Sequence, residues 1–213
     1  MKSMLIIGMG NFGHHLCENL IELGNDVMIV DWDEDKVSDM IYKVTNVQIG
    51  DCTDPDVIKS IGVGNFDLVF VCIGTNFQSS LEITDLVKSM GAKYVISKAT
   101  RSVHAKFLLK NGADEVIYPE RDIAERYARK CSADNVFDYI ELDNDYSISE
   151  MSPPKSWIGK SIKDLDIRNK YKVSIVGIKE GTEMNILPEP TYEFKETDHI
   201  MVLAADSDLQ KIM

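Results

Sequence analysis

Gly8-Met9-Gly10-Asn11-Phe12-Gly13 follows directly on the apolar run Met4-Leu5-Ile6-Ile7, and a second apolar run, Val27-Met28-Ile29-Val30, ends at Asp31. Residues of these types at this spacing can hold a nucleotide. Gly8 permits a tight turn out of a strand, Gly10 lets the backbone approach phosphate where a Cβ would collide, and Gly13 lets the following helix pack close to the sheet. The N-terminus of that helix offers unpaired N–H groups and a partial positive charge to phosphate. Asp31, at the tip of the second strand, can accept from both ribose hydroxyls. The competing reading is a glycine-rich turn with no ligand. The strand before it, the helix after it and the acid at the expected distance favour the nucleotide.

Other residues fit the same crevice. Asp51-Cys52-Thr53-Asp54 follows a third strand, beside the expected adenine. Asp51 can accept from the adenine amino group, while Thr53 or Asp54 caps the next helix. Gly74-Thr75-Asn76 follows a fourth strand on the ribose–phosphate side, and Phe12, Cys52 and Cys72 fall in the same turns and strand ends. Lys98, after a fifth strand, can meet a phosphate or be an ordinary exposed lysine. Glu120 opens a later helix, where it can meet a cation or complement the charge of the helix end. A nicotinamide dehydrogenase would also need a positioned proton donor. His14, His15, His104 and His199 show no acid at a spacing that suggests a relay, and each is expected to be a surface or capping residue. Cys17, Cys52, Cys72 and Cys131 form no C-x-x-C pair, so neither a zinc site nor a redox motif is indicated, and Cys72 reads as core. Free thiols fit a reducing cytosol.

The elements that must position these residues alternate. Strands are expected at Met4–Ile7, Val27–Asp31, Val47–Gly50, Leu68–Cys72, Tyr94–Ser97 and Glu115–Ile117. Helices are expected at Phe12–Leu23, Glu34–Lys43, Pro55–Ile61, Gln78–Met90 and Val103–Lys110. Gly24, Gly62, Gly91 and Gly112 each sit just past a helical run, where a left-handed residue ends a helix. This alternation makes a parallel, doubly wound α/β sheet. The pattern changes after a charged helix running from Pro119 to about Lys130. Ser132-Ala-Asp-Asn135 reads as a break, placing a nucleotide-binding domain over 1–134 and a second domain over 135–213. The second is a small α+β unit with short strands at Phe137–Leu142, Tyr146–Met151, Val173–Lys179, Met184–Leu187 and His199–Ala204, and short helices near Ser161–Asn169 and Asp206–Met213.

Composition excludes several classes. The net charge is −12 in 213 residues. Residues 1–135 carry 14 Lys/Arg against 20 Asp/Glu, and residues 136–213 carry 9 against 15, so the charge is spread and no basic block exists to meet nucleic acid. The longest apolar run lies around Leu68–Ile73, far short of the roughly 20 residues a membrane span needs. Strand one begins almost at Met1, leaving no room for a signal peptide. A cytoplasmic protein is expected, acting at a membrane only through a partner.

The chain resembles the cytosolic regulatory subunits of Trk/Ktr-type potassium uptake systems, which carry RCK (regulator of K⁺ conductance) domains. The matching stretches are Gly8–Gly13, Val30-Asp31, Gly50-Asp51-Cys-Thr-Asp54, Gly74-Thr-Asn76, Lys98-Ala99, Asn111-Gly-Ala-Asp114 and Tyr118-Pro-Glu-Arg-Asp122, with Asp164-Leu-Asp-Ile-Arg168 and Lys170-Tyr171 in the second domain. The resemblance implies a Rossmann-like first domain that binds ATP, ADP or NAD(H) through Gly8, Gly10, Gly13, Asp31, Asp51, Gly74, Thr75 and Lys98. It implies Glu120 as a divalent-cation ligand near the phosphates of paired subunits. It implies a second domain that dimerises, and dimers building an octameric ring under a membrane K⁺-translocating subunit. Many ATP-responsive relatives carry Arg where this chain has Asn11. Arg can grip a terminal phosphate with two bonds and Asn cannot, so preference for ATP over ADP is not expected, and NAD(H) or AMP gains ground. Some relatives bind cyclic di-AMP between second domains. Arg168 matches an Arg used there, with Ile162, Ile175 and Pro188 as apolar wall and Ser174 where such relatives carry Asn. The rival functions are a small NAD-dependent oxidoreductase and a free-standing nucleotide sensor.

Overall fold

The computed structural model describes residues 1–132, 136–143 and 145–212. Contacts divide the chain into two units, Met1–Arg121 and Asp122–Met213. The expected domain boundary and most of the break before it fall at 133–135, outside the described residues.

The first unit is a six-stranded parallel sheet: β1 Ser3–Ile7, β2 Asp26–Asp31, β3 Asn46–Ile49, β4 Leu68–Val71, β5 Val95–Lys98 and β6 Glu115–Ile117. Its strand order, β3-β2-β1-β4-β5-β6, is that of a dinucleotide-binding sheet, with the reversal between β1 and β4. Helices α1 Asn11–Glu22, α2 Pro55–Ile61, α3 Phe77–Ser89 and α4 Ser102–Lys110 connect the strands. The strands are apolar on both faces because both faces are covered. Leu5, Ile7, Val30, Val69 and Val71 pack with Ile58, Ile61, Ile83 and Val87, while Met4, Ile6, Val27, Ile29 and Phe70 pack with Cys17, Val37 and Met40 on the other side. Gly24, Gly62, Gly91 and Gly112 all have positive φ, as expected of helix ends.

One helix of the expected set is not there. Glu34–Lys43 forms two 3₁₀ turns, Glu34–Lys36 and Ser38–Met40. Asp33 caps the first turn through the N–H of Asp35, and only Val37 and Met40 insert into the core. Two apolar anchors three residues apart fit a 3₁₀ repeat.

Helix α5, Pro119–Ser132, contains the boundary between the units. The second unit is an antiparallel sheet of β7 Val136–Asp143, β8 Tyr146–Met151, β9 Ser174–Glu180, β10 Glu183–Asn185 and β11 Asp198–Ala205, in the order β10-β9-β11-β8-β7. Its core gathers Trp157, Phe194, Ile178, Ile200 and Val202, with the Trp157 and Phe194 rings 5.5 Å apart. The helix expected over Ser161–Asn169 is broken into α6 Ile162–Leu165 and α7 Ile167–Tyr171. Asp166 adopts φ 48° between them, and its Oδ1 accepts from Asn169 Nδ2 at 2.7 Å. A short polar side chain that bonds locally tolerates this left-handed conformation. The last helix, α8 Asp206–Leu209, is shorter than expected.

Candidate functional site

The carboxyl ends of β1, β2, β3, β4 and β5 open into a cleft of about 750 Å³, within the range of small-molecule sites. Gly8, Gly10, Asn11, Phe12, Asp31, Asp51, Cys52, Cys72, Gly74, Thr75, Asn76, Lys98 and Glu120 all line it.

The three glycines divide their work. Gly8 has φ +98°, and a Cβ there would meet Ile73 and the Cys72 backbone. A Cβ at Gly13 would lie 2.1 Å from the carbonyl oxygen of Gly8, so Gly13 sits behind the turn and seats α1 against it without lining the cleft. Gly10 is different. Its φ of −72° suits any residue, and a Cβ there would meet no protein atom within 4 Å. Nothing inside the fold requires glycine at position 10, whereas a ligand backed against it would. Side chains cap α2 and α3, Asp54 and Asn76 accepting from Asp56 and Ser79 N–H. No side chain caps α1, and its first residues Asn11 and Phe12 line the cleft, where a helix N-terminus favours an anion.

Asp31 is 5% exposed. Its Oδ2 accepts from Met9 N–H at 2.7 Å and its Oδ1 from Asp33 N–H at 3.0 Å, so the carboxylate shapes the glycine turn as well as facing the cleft. A carboxylate offers about four acceptor positions, so two bonds leave capacity for ribose hydroxyls. Asp51 accepts from Thr53 N–H at 2.9 Å and Oγ1 at 2.8 Å, and these bonds hold its carboxyl below the usual range. Cys52 and Cys72 are buried, and burial pushes both thiols up to about 12. They line the cleft as neutral, weakly polar groups. Lys98 Nζ lies 2.6 Å from Glu120 Oε1 and 5.6 Å from the centre of the Phe12 ring. The hydrogen bond from Lys98 holds the Glu120 carboxyl down. Among the described residues, no group of three or more His, Cys, Asp or Glu could hold a metal ion.

Sequence reasoning missed Trp32, Lys36 and Ser79 on the lining. Trp32 carried a signal: a large aromatic directly after the acid at the strand tip.

One histidine departs from the surface or capping position expected, while His15 is exposed as expected. His104 is fully buried, its Nε2 3.2 Å from Ser80 Oγ, and burial depresses its pKa. His14 Nε2 lies 2.8 Å from Asp39 and His199 Nδ1 2.8 Å from Glu150, so two histidines do pair with acids, 25 and 49 residues away. Neither pair reaches the cleft lining.

In the second unit a cleft of about 480 Å³ brings together Ile162, Arg168, Ser174, Ile175 and Pro188, with Lys163, Ile186 and Leu187.

Comparison with known proteins follows this geometry. Residues 4–119 match the TrkA-N domain family and residues 148–213 the TrkA-C domain family. The chain is 39% identical over 210 residues to the Ktr system potassium uptake protein C of Bacillus subtilis, covering 99% of this chain and 95% of that one. The chain belongs to the TrkA/Ktr family of potassium uptake proteins. The GsuK RCK domain shares the fold at TM-score 0.68 and 20% identity, covering 98% of this chain and 46% of that one. A GsuK channel bound to NAD matches at TM-score 0.68 and 20% identity, with 98% of this chain and 38% of that one covered. This member of the TrkA/Ktr family spans less than half of those GsuK chains, and the likeness establishes its RCK fold.

The glycines yield a paired prediction. Gly13→Ala should destabilise the protein by about 1–3 kcal/mol, the scale of overpacking. Gly10→Ala should leave unfolding within about 0.5 kcal/mol of wild type while weakening ADP binding at least about tenfold, or ~1.4 kcal/mol. Urea unfolding followed by circular dichroism and calorimetric titration with ADP check the two halves.

Proposed function

We propose that this protein is the cytosolic gating subunit of a potassium uptake system, controlled by an adenine nucleotide in the cleft of the first unit. The observation that carries the reading is the convergence, on one cleft, of an uncapped helix N-terminus, an open Gly10, a buried Asp31 and Lys98. Its membership of a potassium uptake family supplies the context. Among the described residues no helix is long and apolar enough to cross a membrane; the proposal assigns the crossing to a K⁺-translocating partner, with this chain peripheral to the inner face. NAD(H), ADP and ATP all present the phosphate, ribose and adenine that the cleft suits. An entering phosphate competes with Glu120 for Lys98. Glu120, at the first turn of α5, is then released to a divalent cation shared with the phosphates. Ligand shifts gating only by its difference in affinity between two states. No catalytic role is assigned. Among the described residues none of the histidines lines the cleft, which supports a regulator over an oxidoreductase.

The second cleft supports a second ligand. Arg168 at an apolar wall of Ile162, Ile175 and Pro188 suits a phosphate flanked by bases, and we assign it cyclic di-AMP. Arg168→Ala should abolish calorimetric binding of cyclic di-AMP while ADP binding persists. Equal binding by wild type and variant removes the assignment.

Asn11 sets the expected nucleotide preference. With no guanidinium at this position, wild type should discriminate ATP from ADP by less than about tenfold, or ~1.4 kcal/mol, and Asn11→Arg should raise preference for ATP. A hundredfold wild-type preference would place that task on another cation. Mass spectrometry of the nucleotide that co-purifies identifies the native ligand directly.

Assembly is the remaining element of the proposal. Ile123 and Tyr127 on α5 are 54% and 58% exposed, apolar groups one helical turn apart that a second copy can cover about a two-fold axis. Light scattering after size exclusion should give a mass at least twice the 24.0 kDa of one chain. Ile123→Glu/Tyr127→Glu should lower it, because burying unpaired charge is costly. A wild-type monomer at micromolar concentration with ADP present overturns the ring mechanism.

A further inference from the structure

We infer that Trp32 is the base-stacking platform of the cleft. The inference rests on the reading of the cleft as a nucleotide site. Strand order lays out the ligand. The glycine turn follows β1, Asp31 ends β2 with Trp32 directly after it, and Asp51-Cys52-Thr53 follows β3, while the sheet runs β3-β2-β1. A phosphate at the turn after β1 and a ribose on Asp31 put the base one strand further out. That position lies between the tips of β2 and β3, where Trp32 and Asp51 both line the cleft.

Trp32 is unexplained by folding. It is 70% exposed, although an indole is among the most costly surfaces to leave in water. In contrast the other tryptophan, Trp157, is 1% exposed in the core of the second unit. Nor is Trp32 left to wander. Lys36 Nζ stands 5.3 Å from its ring centre, a cation–π distance, and lies 3.7 Å from Asp31 Oδ1 and 3.8 Å from Asp33 Oδ2. Lys36 therefore links the indole to Asp31, the proposed ribose acceptor, and to Asp33, which caps the turn that follows. A held, solvent-facing aromatic ring beside a ribose acceptor is what a base stacks on, because every base has a π face. Asp51, on the same cleft, then reads the exocyclic amino group.

Calorimetric titration of the full-length protein with ADP tests this, using Trp32→Ala, Trp32→Leu and Trp32→Phe. The high exposure of Trp32 means all three should fold, and thermal melting confirms it. Ala and Leu should weaken ADP binding about tenfold or more, the range of one lost base stack, and Phe should stay within about threefold of wild type. Quenching of indole emission on adding ADP should occur in wild type and vanish in Trp32→Phe, because Trp157 is buried in the core of the second unit. Wild-type affinity in Trp32→Ala, or equal losses in all three variants, overturns the stacking role and leaves the nucleotide site standing. Failure of the wild type to bind ADP, ATP or NADH overturns both.

Discussion

At the end of β2 a buried carboxylate reaches sideways to a peptide N–H in the turn after β1. The bond from Met9 N–H to Asp31 Oδ2, at 2.7 Å, joins two loops that parallel pairing of β1 and β2 has already brought abreast. A buried carboxylate without such donors would be costly, so the turn and the acid hold each other in place. Much of the cleft follows from that shape. Gly8 can take its left-handed conformation, Gly13 can seat α1 against the Gly8 carbonyl, and the first residues of α1, Asn11 and Phe12, come to line the cleft at the switch between β1 and β4.

Electrostatics decides what kind of binding such a cleft supports. The protein carries a net charge of −12, yet its cleft suits an anion. The lysines on the lining are not idle: Lys98 is bonded to Glu120, and Lys36 sits near Asp31 and Asp33. On the proposed reading, an incoming phosphate would exchange one partner of Lys98 for another. Exchange yields less net affinity than capture by an unpaired cation, and it transfers the change to Glu120 at the start of α5. On that proposal the site would respond to ligand without holding it irreversibly, which suits a sensor better than a cofactor store.

The second unit uses another device. Its helical segment is broken at Asp166, and Lys172 ends α7 with φ 60°. These two left-handed residues fold α6 and α7 back beside β9, so Arg168 and Ser174 share one cleft with Pro188. Ser161 starts the segment by accepting from Asp164 N–H, a cap written in the sequence as Ser-x-x-Asp. The break at Asp166 carried no comparable mark, because Asp is read as easily inside a short helix as at its end.

What the sequence determined by itself was local. The six parallel strands, their glycine-ended helices, the glycine turn and the acid after β2 all rest on residue type and spacing within about one strand–helix unit, and they fall where that spacing puts them. Twelve of the thirteen residues expected at the nucleotide do line the cleft; Gly13 alone stands behind it, where a Cβ would run into the Gly8 carbonyl oxygen. Tertiary structure alone decided pairings between distant residues. Lys98 with Glu120, His14 with Asp39, His199 with Glu150 and the burial of His104 against Ser80 join positions 22 to 49 apart. It also decided that Glu34–Lys43 turns as 3₁₀ segments, since only Val37 and Met40 find a core to enter. The reason is physical. Turn chemistry and hydrophobic period act through neighbours along the chain, whereas the partner of a polar side chain is set by which strands the sheet places side by side.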